Sequence, residues 1–225
     1  MSKEAVAILG GTGEQGLGLA YRFALAGRPV RIGSRKPDRA LEAMRDVAAK
    51  APGADVSGHE NAAAVREARG GIVILSVPFE HMAGTIKAVK DELVPGTVLV
   101  SMGVPLASAI GDVASRVIGV SQGSCAEMCE ALAPEGVPVI SAFQNVAAHR
   151  LLDLPHPVDC DVIVSGAKEP RARVMALCSD IPGTRAIDGG PLYNARYVEQ
   201  LTALLIGINI RLKKPEGVGF RLTYL

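Results

Sequence analysis

A glycine-rich segment at residues 10–18 carries the spacing in this sequence that most clearly predicts chemistry. Gly11, Gly13 and Gly16 form the pattern G-x-G-x-x-G, directly after the apolar run at residues 5–9. In a dinucleotide-binding unit such glycines allow a tight turn, the approach of a pyrophosphate to the backbone, and close packing of helix on strand. The N-terminus of the following helix attracts the phosphates. A glycine-rich turn without a ligand is the alternative, and the strand–turn–helix context favours the nucleotide site.

The residues after the second predicted strand indicate which dinucleotide binds. An NAD site usually has Asp or Glu here, to bond the ribose 2′-hydroxyl. This chain instead has Ser34 and Arg35, with Arg39 about one turn into the next predicted helix. A hydroxyl group and guanidinium groups suit a 2′-phosphate. The pattern therefore predicts NADP(H), and solvated surface charges without a ligand are the alternative.

The elements that position these residues alternate between apolar runs and helical patterns. Strands are predicted at residues 5–9, 29–32, 71–77, 97–101, 137–142, 161–165 and 184–188, and helices at 17–25, 38–50, 61–69, 80–93, 125–132, 170–178 and 195–212. Residues 51–58 are expected to form a loop. This order predicts an α/β fold: a Rossmann-type doubly wound parallel sheet with right-handed crossovers.

We expect two domains with a boundary near Ala142. Residues 1–142 form the NADP-binding Rossmann domain, and residues 143–225 form a small C-terminal α/β lobe ending in a long apolar helix. Residues 201–210 of that helix are apolar nearly all round. Such a helix is expected to be buried in its own lobe or against a second subunit, so we expect a dimer interface there.

Two further strand ends are expected to line the cofactor groove, because ligands of open α/β sheets lie beyond the carboxyl ends of the strands. Ser76 and Val77 follow one strand, and Val104 follows the next. Plain strand-terminating turns are an equally good interpretation of either one. Glu80 and His81 are possible acid–base groups, but their place at a helix start favours a structural role.

Charge, cysteine usage and the N-terminal segment exclude several classes of protein. The formal net charge is +1, so no global field attracts nucleic acid or a membrane surface. Cys125 and Cys129 are expected to be free core thiols, and no Cys/His spacing predicts a metal site. The sequence begins without a signal-peptide pattern, and its late apolar segment is shorter than the roughly 20 residues of a bilayer span. A cytoplasmic location is expected.

The proton donors of two large dehydrogenase classes are missing. None of the 4 Tyr residues has Lys four positions later, as short-chain dehydrogenases require. No Asn has Lys four positions before it, as hydroxyacid-type dehydrogenases require. Hydride transfer between two bound cofactors fits this absence, because it needs orientation and exclusion of water and no catalytic side chain. An NADPH-dependent reductase of another acceptor (flavin-like, imine or ferric) and a non-enzymatic NADP(H)-binding protein remain alternatives.

Seven segments, in order along nearly the whole chain, resemble one family. They are ILGGTGEQGLG at 8–18, IGSR at 32–35, VPFEH at 77–81, SAFQNVAA at 141–148, HPVDCD at 156–161, DGGPLYNAR at 188–196 and GVGFR at 217–221. The chain is similar to NADPH-dependent reductases of the 5-deazaflavin coenzyme F420. The resemblance implies a homodimer that passes a hydride directly between nicotinamide C4 of NADP(H) and deazaflavin C5 of F420.

The resemblance also implies roles for individual positions. Residues implied to hold the pyrophosphate are Thr12, Gly13, Glu14 and Gln15, and those implied to hold the 2′-phosphate are Ser34, Arg35 and Arg39. Ser76, Val77 and Val104 would line the NADP groove. Val146 and Ala148, in the C-terminal lobe, would lie where the two rings meet. The late basic residues Arg196, Arg211, Lys213, Lys214 and Arg221 are candidates for the acidic tail of F420. Surface charge without a ligand is an equally good interpretation of each.

Overall fold

Residues 3–225, which the computed structural model describes, form one eight-stranded sheet with eight α-helices around it. The strands are β1 (Val6–Leu9), β2 (Val30–Ser34), β3 (Val56–Glu60), β4 (Ile72–Leu75), β5 (Val98–Ser101), β6 (Val139–Ser141), β7 (Cys160–Gly166) and β8 (Thr184–Asp188). The helices are α1 (Glu14–Leu25), α2 (Pro37–Lys50), α3 (Asn61–Glu67), α4 (Phe79–Val89), α5 (Cys125–Leu132), α6 (Ala148–Leu152), α7 (Lys168–Cys178) and α8 (Ala195–Leu212). The short α6 has no counterpart among the predicted elements.

The strand order is β3-β2-β1-β4-β5-β6-β7-β8, and the strands from β3 to β6 are parallel. Val6 of β1 pairs with Val30 of β2 on one side and with Ile72 of β4 on the other. The order therefore reverses at β1, which is where a doubly wound sheet opens a crevice at the carboxyl ends of its strands. The predicted Rossmann-type fold is confirmed.

Apolar side chains of the sheet pack against helices on both faces. Alternate residues of β1 pack against opposite helix layers. Val6 and Ile8 belong to the cluster that includes α1, α2 and α7. Ala7 and Leu9 belong to the cluster that includes α3, α4 and α5. All four residues of β1 are fully buried. This accounts for the continuous apolar run in the sequence, because a strand covered on both faces has no polar side.

The prediction of a loop over residues 51–58 is wrong in its second half, where β3 begins. Val56 pairs with Val30 at the edge of the sheet. The side chains of β3 are only partly buried, so the strand lacks the apolar pattern that predicts one. Gly58 is required for contact with α2, because a Cβ there would lie 2.4 Å from the carbonyl oxygen of Ala40.

The expectation of a wholly parallel sheet is wrong at one position. β7 is antiparallel to β6, with Ile140 opposite Gly166 and Ser141 opposite Ser165. The chain leaves β6 at its carboxyl end, passes through α6 and returns in β7 in the opposite direction. The sheet thus continues across residue 142, and the division of the chain into two domains there stays a prediction.

Helix α8 has the bounds that the sequence predicts, and one side of it is covered. Ala195, Val198 and Ala203 are buried against the rest of the chain. Leu204 and Ile210 are each more than half exposed. The protomer therefore leaves part of the apolar surface of α8 open. No helix within residues 3–225 has the length and hydropathy to cross a membrane.

Candidate functional site

The turn between β1 and α1 is built from glycines with different roles. Gly10 has φ +77°, a left-handed conformation that glycine adopts without steric cost. The left-handed residue of the turn is therefore Gly10. Gly11 is required for packing, because a Cβ there would lie 2.9 Å from the Ile8 carbonyl oxygen. A Cβ on Gly16 would lie 2.7 Å from Gly11 Cα, whereas one on Gly13 would meet nothing closer than 3.6 Å.

The N-terminus of α1 has unpaired donors that suit an anion. Gly13 is the N-cap residue and offers no side-chain cap. Within residues 3–225, the first backbone N–H of α1 that finds an acceptor upstream is that of Leu17, which donates to Gly13 O at 2.8 Å. The three preceding N–H groups of the helix are left to solvent or a ligand. Free N–H groups with the partial positive charge of the helix end favour phosphate, and the open face of Gly13 admits it.

A groove of about 590 Å³ lies beyond the carboxyl ends of β1, β2 and β4. It brings together seven residues that the sequence analysis selected: Thr12, Gly13, Ser34, Arg35, Arg39, Ser76 and Val77. The Ser34 hydroxyl accepts a hydrogen bond from Lys36 N at 3.1 Å and is largely buried. Arg35 and Arg39 are exposed at the outer end of this groove. We call it the first groove.

The first groove also contains residues that the sequence analysis did not assign to the site. Asn61, at the start of α3, is 4% exposed, and its Oδ1 has no hydrogen-bond partner among residues 3–225. It was missed because β3, which places it beside Ser34, was not predicted. His81 also lines this groove, together with Thr85. The Thr85 hydroxyl donates to His81 O at 2.9 Å.

A second groove of about 600 Å³ adjoins the first and shares Gly13, Ser76, Val77 and Pro78 with it. It contains the predicted residues Glu14, Gln15 and Val104. Its other walls come from distant parts of the chain: Phe79 and Glu80 of α4, Met102 and Gly103 after β5, Gln144 after β6, and Thr202 and Ile206 of α8. No local pattern in the sequence connects α8 with this groove.

Three predicted site residues line neither groove. Gly11 lies beneath the turn, against β1. Val146 is buried, and its carbonyl oxygen accepts a hydrogen bond from Gln15 Nε2 at 2.8 Å. Ala148 is the first residue of α6 and is partly buried. The roles that the resemblance implies for Val146 and Ala148 stay predictions.

The cysteines are structural thiols. Cys125 and Cys129 are free and buried, as predicted. Burial raises the pKa of both thiols well above the ordinary value, which keeps them protonated and unreactive. Within the described part of the chain, no group of three or more His, Cys, Asp or Glu side chains is arranged to hold a metal ion.

Two relatives that match the chain over almost its full length decide the family. The F420-dependent NADP reductase of Methanocaldococcus jannaschii is 46% identical over 225 residues, covering 98% of both chains. The F420-dependent NADP reductase of Methanothermobacter marburgensis is 43% identical over 224 residues, again covering 98% of both. This chain belongs to the F420-dependent NADP reductase family.

A family model agrees with this assignment, and a solved structure shares the fold. The model described as NADP oxidoreductase, coenzyme F420-dependent, matches residues 5–105, which include the glycine-rich turn and the first groove. A crystal structure from Arthrobacter sp. FB24, named as a candidate F420-dependent NADP reductase, has a TM-score of 0.81 and 23% identity, and the match covers 98% of this chain and 99% of that one. At that identity the likeness shows a shared fold.

The late basic residues of this F420-dependent NADP reductase family member differ in whether they already pair with a carboxylate of the same chain. Arg196 pairs with Glu127 at 3.0 Å, and Arg221 pairs with Asp161 at 2.8 Å. Lys214 instead lines a third groove of about 650 Å³ beside Ala147 and the C-terminal tail. Two of the five candidates for the F420 tail therefore already have carboxylate partners.

Proposed function

We propose that this protein transfers a hydride directly between NADP(H) and coenzyme F420. The observation that carries the proposal is the continuity of the two grooves across Gly13, Ser76, Val77 and Pro78. A dinucleotide extended along the first groove brings its nicotinamide to this shared wall, and the second groove has room beside it for another ring system. Relatives at 43–46% identity named F420-dependent NADP reductase support the choice of F420 as the second substrate.

The first groove is proposed to hold NADP(H). The unpaired N–H groups at the start of α1 suit the pyrophosphate, and the open face of Gly13 admits its close approach. Ser34, Arg35 and Arg39 line one part of this groove and are proposed to bind the 2′-phosphate of the adenosine ribose. Guanidinium groups bind phosphate through charge-assisted, often bidentate hydrogen bonds, so this end of the groove favours NADPH over NADH.

The proposed reaction needs no catalytic side chain. In the direction of F420 reduction, NADPH gives the hydride of nicotinamide C4 to deazaflavin C5, and a proton from solvent completes the reduced coenzyme. The protein contributes orientation and exclusion of water. The walls of the second groove suit this role, because Val77, Phe79, Met102 and Val104 are apolar and Thr202 and Ile206 of α8 add to the lining.

The proposal also covers which part of the chain binds which cofactor, and the oligomeric state. Residues 1–142 are proposed to bind NADP(H), and residues 143–225 to complete the F420 site, with Val146 and Ala148 near the meeting point of the rings, and to form a homodimer. The exposed Leu204, Ile210 and Leu212 support dimerisation, since they leave apolar surface on α8 uncovered. A cytoplasmic location without nucleic-acid or membrane partners stays a prediction.

The activity is tested by mixing the protein with NADPH and oxidised F420 and following loss of the deazaflavin absorbance. We expect turnover with NADPH and much slower turnover with NADH. Parallel reactions with flavin, imine and ferric acceptors test a reductase of another substrate, which would be supported by faster reduction of one of them. Tight NADPH binding with no acceptor reduced would refute an enzymatic function.

The dimer is tested by sizing chromatography with light scattering at micromolar concentration. Leu204→Glu places a charge on the exposed face of α8 and should shift the protein towards monomer, while Glu130→Gln on the exposed side of α5 should not. A wild-type monomer under these conditions would contradict the proposed homodimer.

A further inference from the structure

One face of α1 contacts the segment at residues 143–156, and the contacting residues are Gln15, Gly18 and Arg22. Their spacing of three and then four residues places them in a row along the helix. A Cβ on Gly18 would lie 2.5 Å from Leu151 Cβ, so α6 packs directly on the α1 backbone there. The phosphate-binding helix is therefore also the support for the chain that follows β6.

Arg22 secures the far end of this segment. It is 3% exposed, and its guanidinium donates to backbone carbonyl oxygens of five residues: Leu151 at 2.9 Å, Arg150 at 2.9 Å, Asp153 at 2.7 Å, His156 at 3.0 Å and Leu154 at 3.5 Å. Five fixed donors suit such a cluster of carbonyl groups. The end of α6 and the turn after it are thus held by α1.

Gln15 secures the near end, next to the grooves. Its Nε2 donates to Val146 O at 2.8 Å and lies 3.5 Å from Phe143 O. These two carbonyl groups belong to the 143–146 turn, which Val146 N closes by donating to Phe143 O at 3.1 Å. The side-chain amide of Gln15 is therefore already bonded to protein, while its backbone N–H remains free for a phosphate.

The 143–146 turn has a backbone conformation that needs support. Phe143 has φ +67°, a left-handed conformation that is strained for a bulky residue. Its ring is fully buried and meets Phe23 of α1 edge to face, with centroids 6.2 Å apart. The next residue, Gln144, donates to Ser141 Oγ at 2.7 Å and lines the second groove. A shift of this turn would therefore move a wall of the groove.

We propose that Gln15 is a positioning residue for hydride transfer. Through the Val146 carbonyl its side chain holds the 143–146 turn, and with it the wall at Gln144, at a set distance from the end of α1 that receives the pyrophosphate. This assignment rests on the proposed function of the two grooves. It differs from the role implied by the resemblance, in which Gln15 holds the pyrophosphate, because here only its backbone serves the phosphate.

The variant Gln15→Met tests the assignment, because it keeps the length of the side chain, adds no charge and removes the donor. We expect kcat for F420 reduction to fall about tenfold while the KM for NADPH changes by less than about twofold, the pattern of lost orientation without lost ground-state binding. The deuterium isotope effect with C4-deuterated NADPH should rise. Gln122→Met, the same change in an exposed loop, is the matched control and should match wild type.

A raised KM for NADPH with unchanged kcat would overturn the proposal and make the Gln15 side chain a phosphate ligand. Gln15→Asn, which keeps the amide but shortens its reach, should show the same split between kcat and KM and provides a second variant. Retained NADPH binding in isothermal titration calorimetry shows that each variant is folded.

Hydrogen–deuterium exchange provides a readout that does not depend on F420. Amides of residues 143–152 should exchange faster in Gln15→Met than in wild type or Gln122→Met, because the tether to α1 is lost. Equal exchange would overturn the tether even if kcat fell. A wild-type protein that reduces no F420 would refute the proposed function, while the exchange experiment would still decide whether Gln15 holds the turn.

Discussion

Glu199 is a buried carboxyl group whose protonation should control stability near neutral pH. It lies on α8, is 2% exposed, and accepts hydrogen bonds from Cys125 N at 2.9 Å and Ala126 N at 3.2 Å, at the start of α5. Burial raises its pKa to about 7 from the ordinary 4.5; these two N–H groups oppose the rise, and the charge of Glu127 adds to it. The Glu199 side chain thus connects α8 with α5, and its burial makes its ionisation costly.

The direction of the pH dependence follows from this raised pKa. Between pH 4.5 and about 7 the folded protein keeps a proton on Glu199 that the unfolded chain has lost. The contribution to stability is therefore complete below the unfolded pKa and is lost as pH rises through the folded pKa. Its upper limit is about 3 kcal/mol, at about 1.4 kcal/mol for each unit of pKa difference.

The variant Glu199→Gln removes this ionisation and keeps a carbonyl oxygen for the two N–H groups. Urea unfolding of wild type and variant between about pH 5 and pH 8 should show the wild-type free energy of unfolding falling by about 2–3 kcal/mol relative to the variant. Cys125 and Cys129 stay neutral across this range because burial raises the pKa of each. A difference in the free energy of unfolding between wild type and variant that stays constant from about pH 5 to pH 8 would refute the reasoning.

Three further changes have expected outcomes that follow from single contacts. Arg35→Ala should raise the KM for NADPH about tenfold or more with little change for NADH; steady-state kinetics with both cofactors measures this, and an unchanged preference would contradict a 2′-phosphate site. Asp161→Ala removes a fully buried carboxylate that accepts hydrogen bonds from two arginines and from the C-terminal tail, so urea unfolding should show a loss of about 3 kcal/mol. Asp159→Ala, an exposed partner of the same cluster, should cost less than about 1 kcal/mol, and equal losses would argue against the role of burial. Gly16→Ala should weaken NADPH binding in calorimetry, because its Cβ would displace the backbone of the glycine-rich turn, whereas Gly84→Ala meets nothing within 4 Å and should leave binding unchanged.

The cofactor end of the molecule was largely predictable from local sequence. Strand β1 is buried on both faces, so its residues are continuously apolar, and the glycines that follow satisfy steric limits within a few residues of one another. Ser34 is the last residue of β2, and Arg35 follows it directly. The left-handed conformation of Gly10 was not predicted, because adjacent glycines share the same local signal.

Features at the edge of the sheet were not predictable in the same way. Strand β3 is held by hydrogen bonds to β2 and by contact of Gly58 with α2, and neither interaction leaves an apolar pattern in the sequence. With β3 missing from the prediction, Asn61 had no expected place in the first groove. The antiparallel direction of β7 likewise depends on the path of residues 142–159, which turn back at one end of the sheet.

The sequence by itself determined the α/β class, the dinucleotide turn, the preference for a 2′-phosphate and the bounds of α8, because each depends on residues close together in the chain. Tertiary structure alone decided that Thr202 and Ile206 of α8 line the second groove, and that Gln15 bonds to a carbonyl group 131 residues away. Such contacts depend on how separate elements pack, and a side chain that serves a distant partner has the same local pattern as one that serves none.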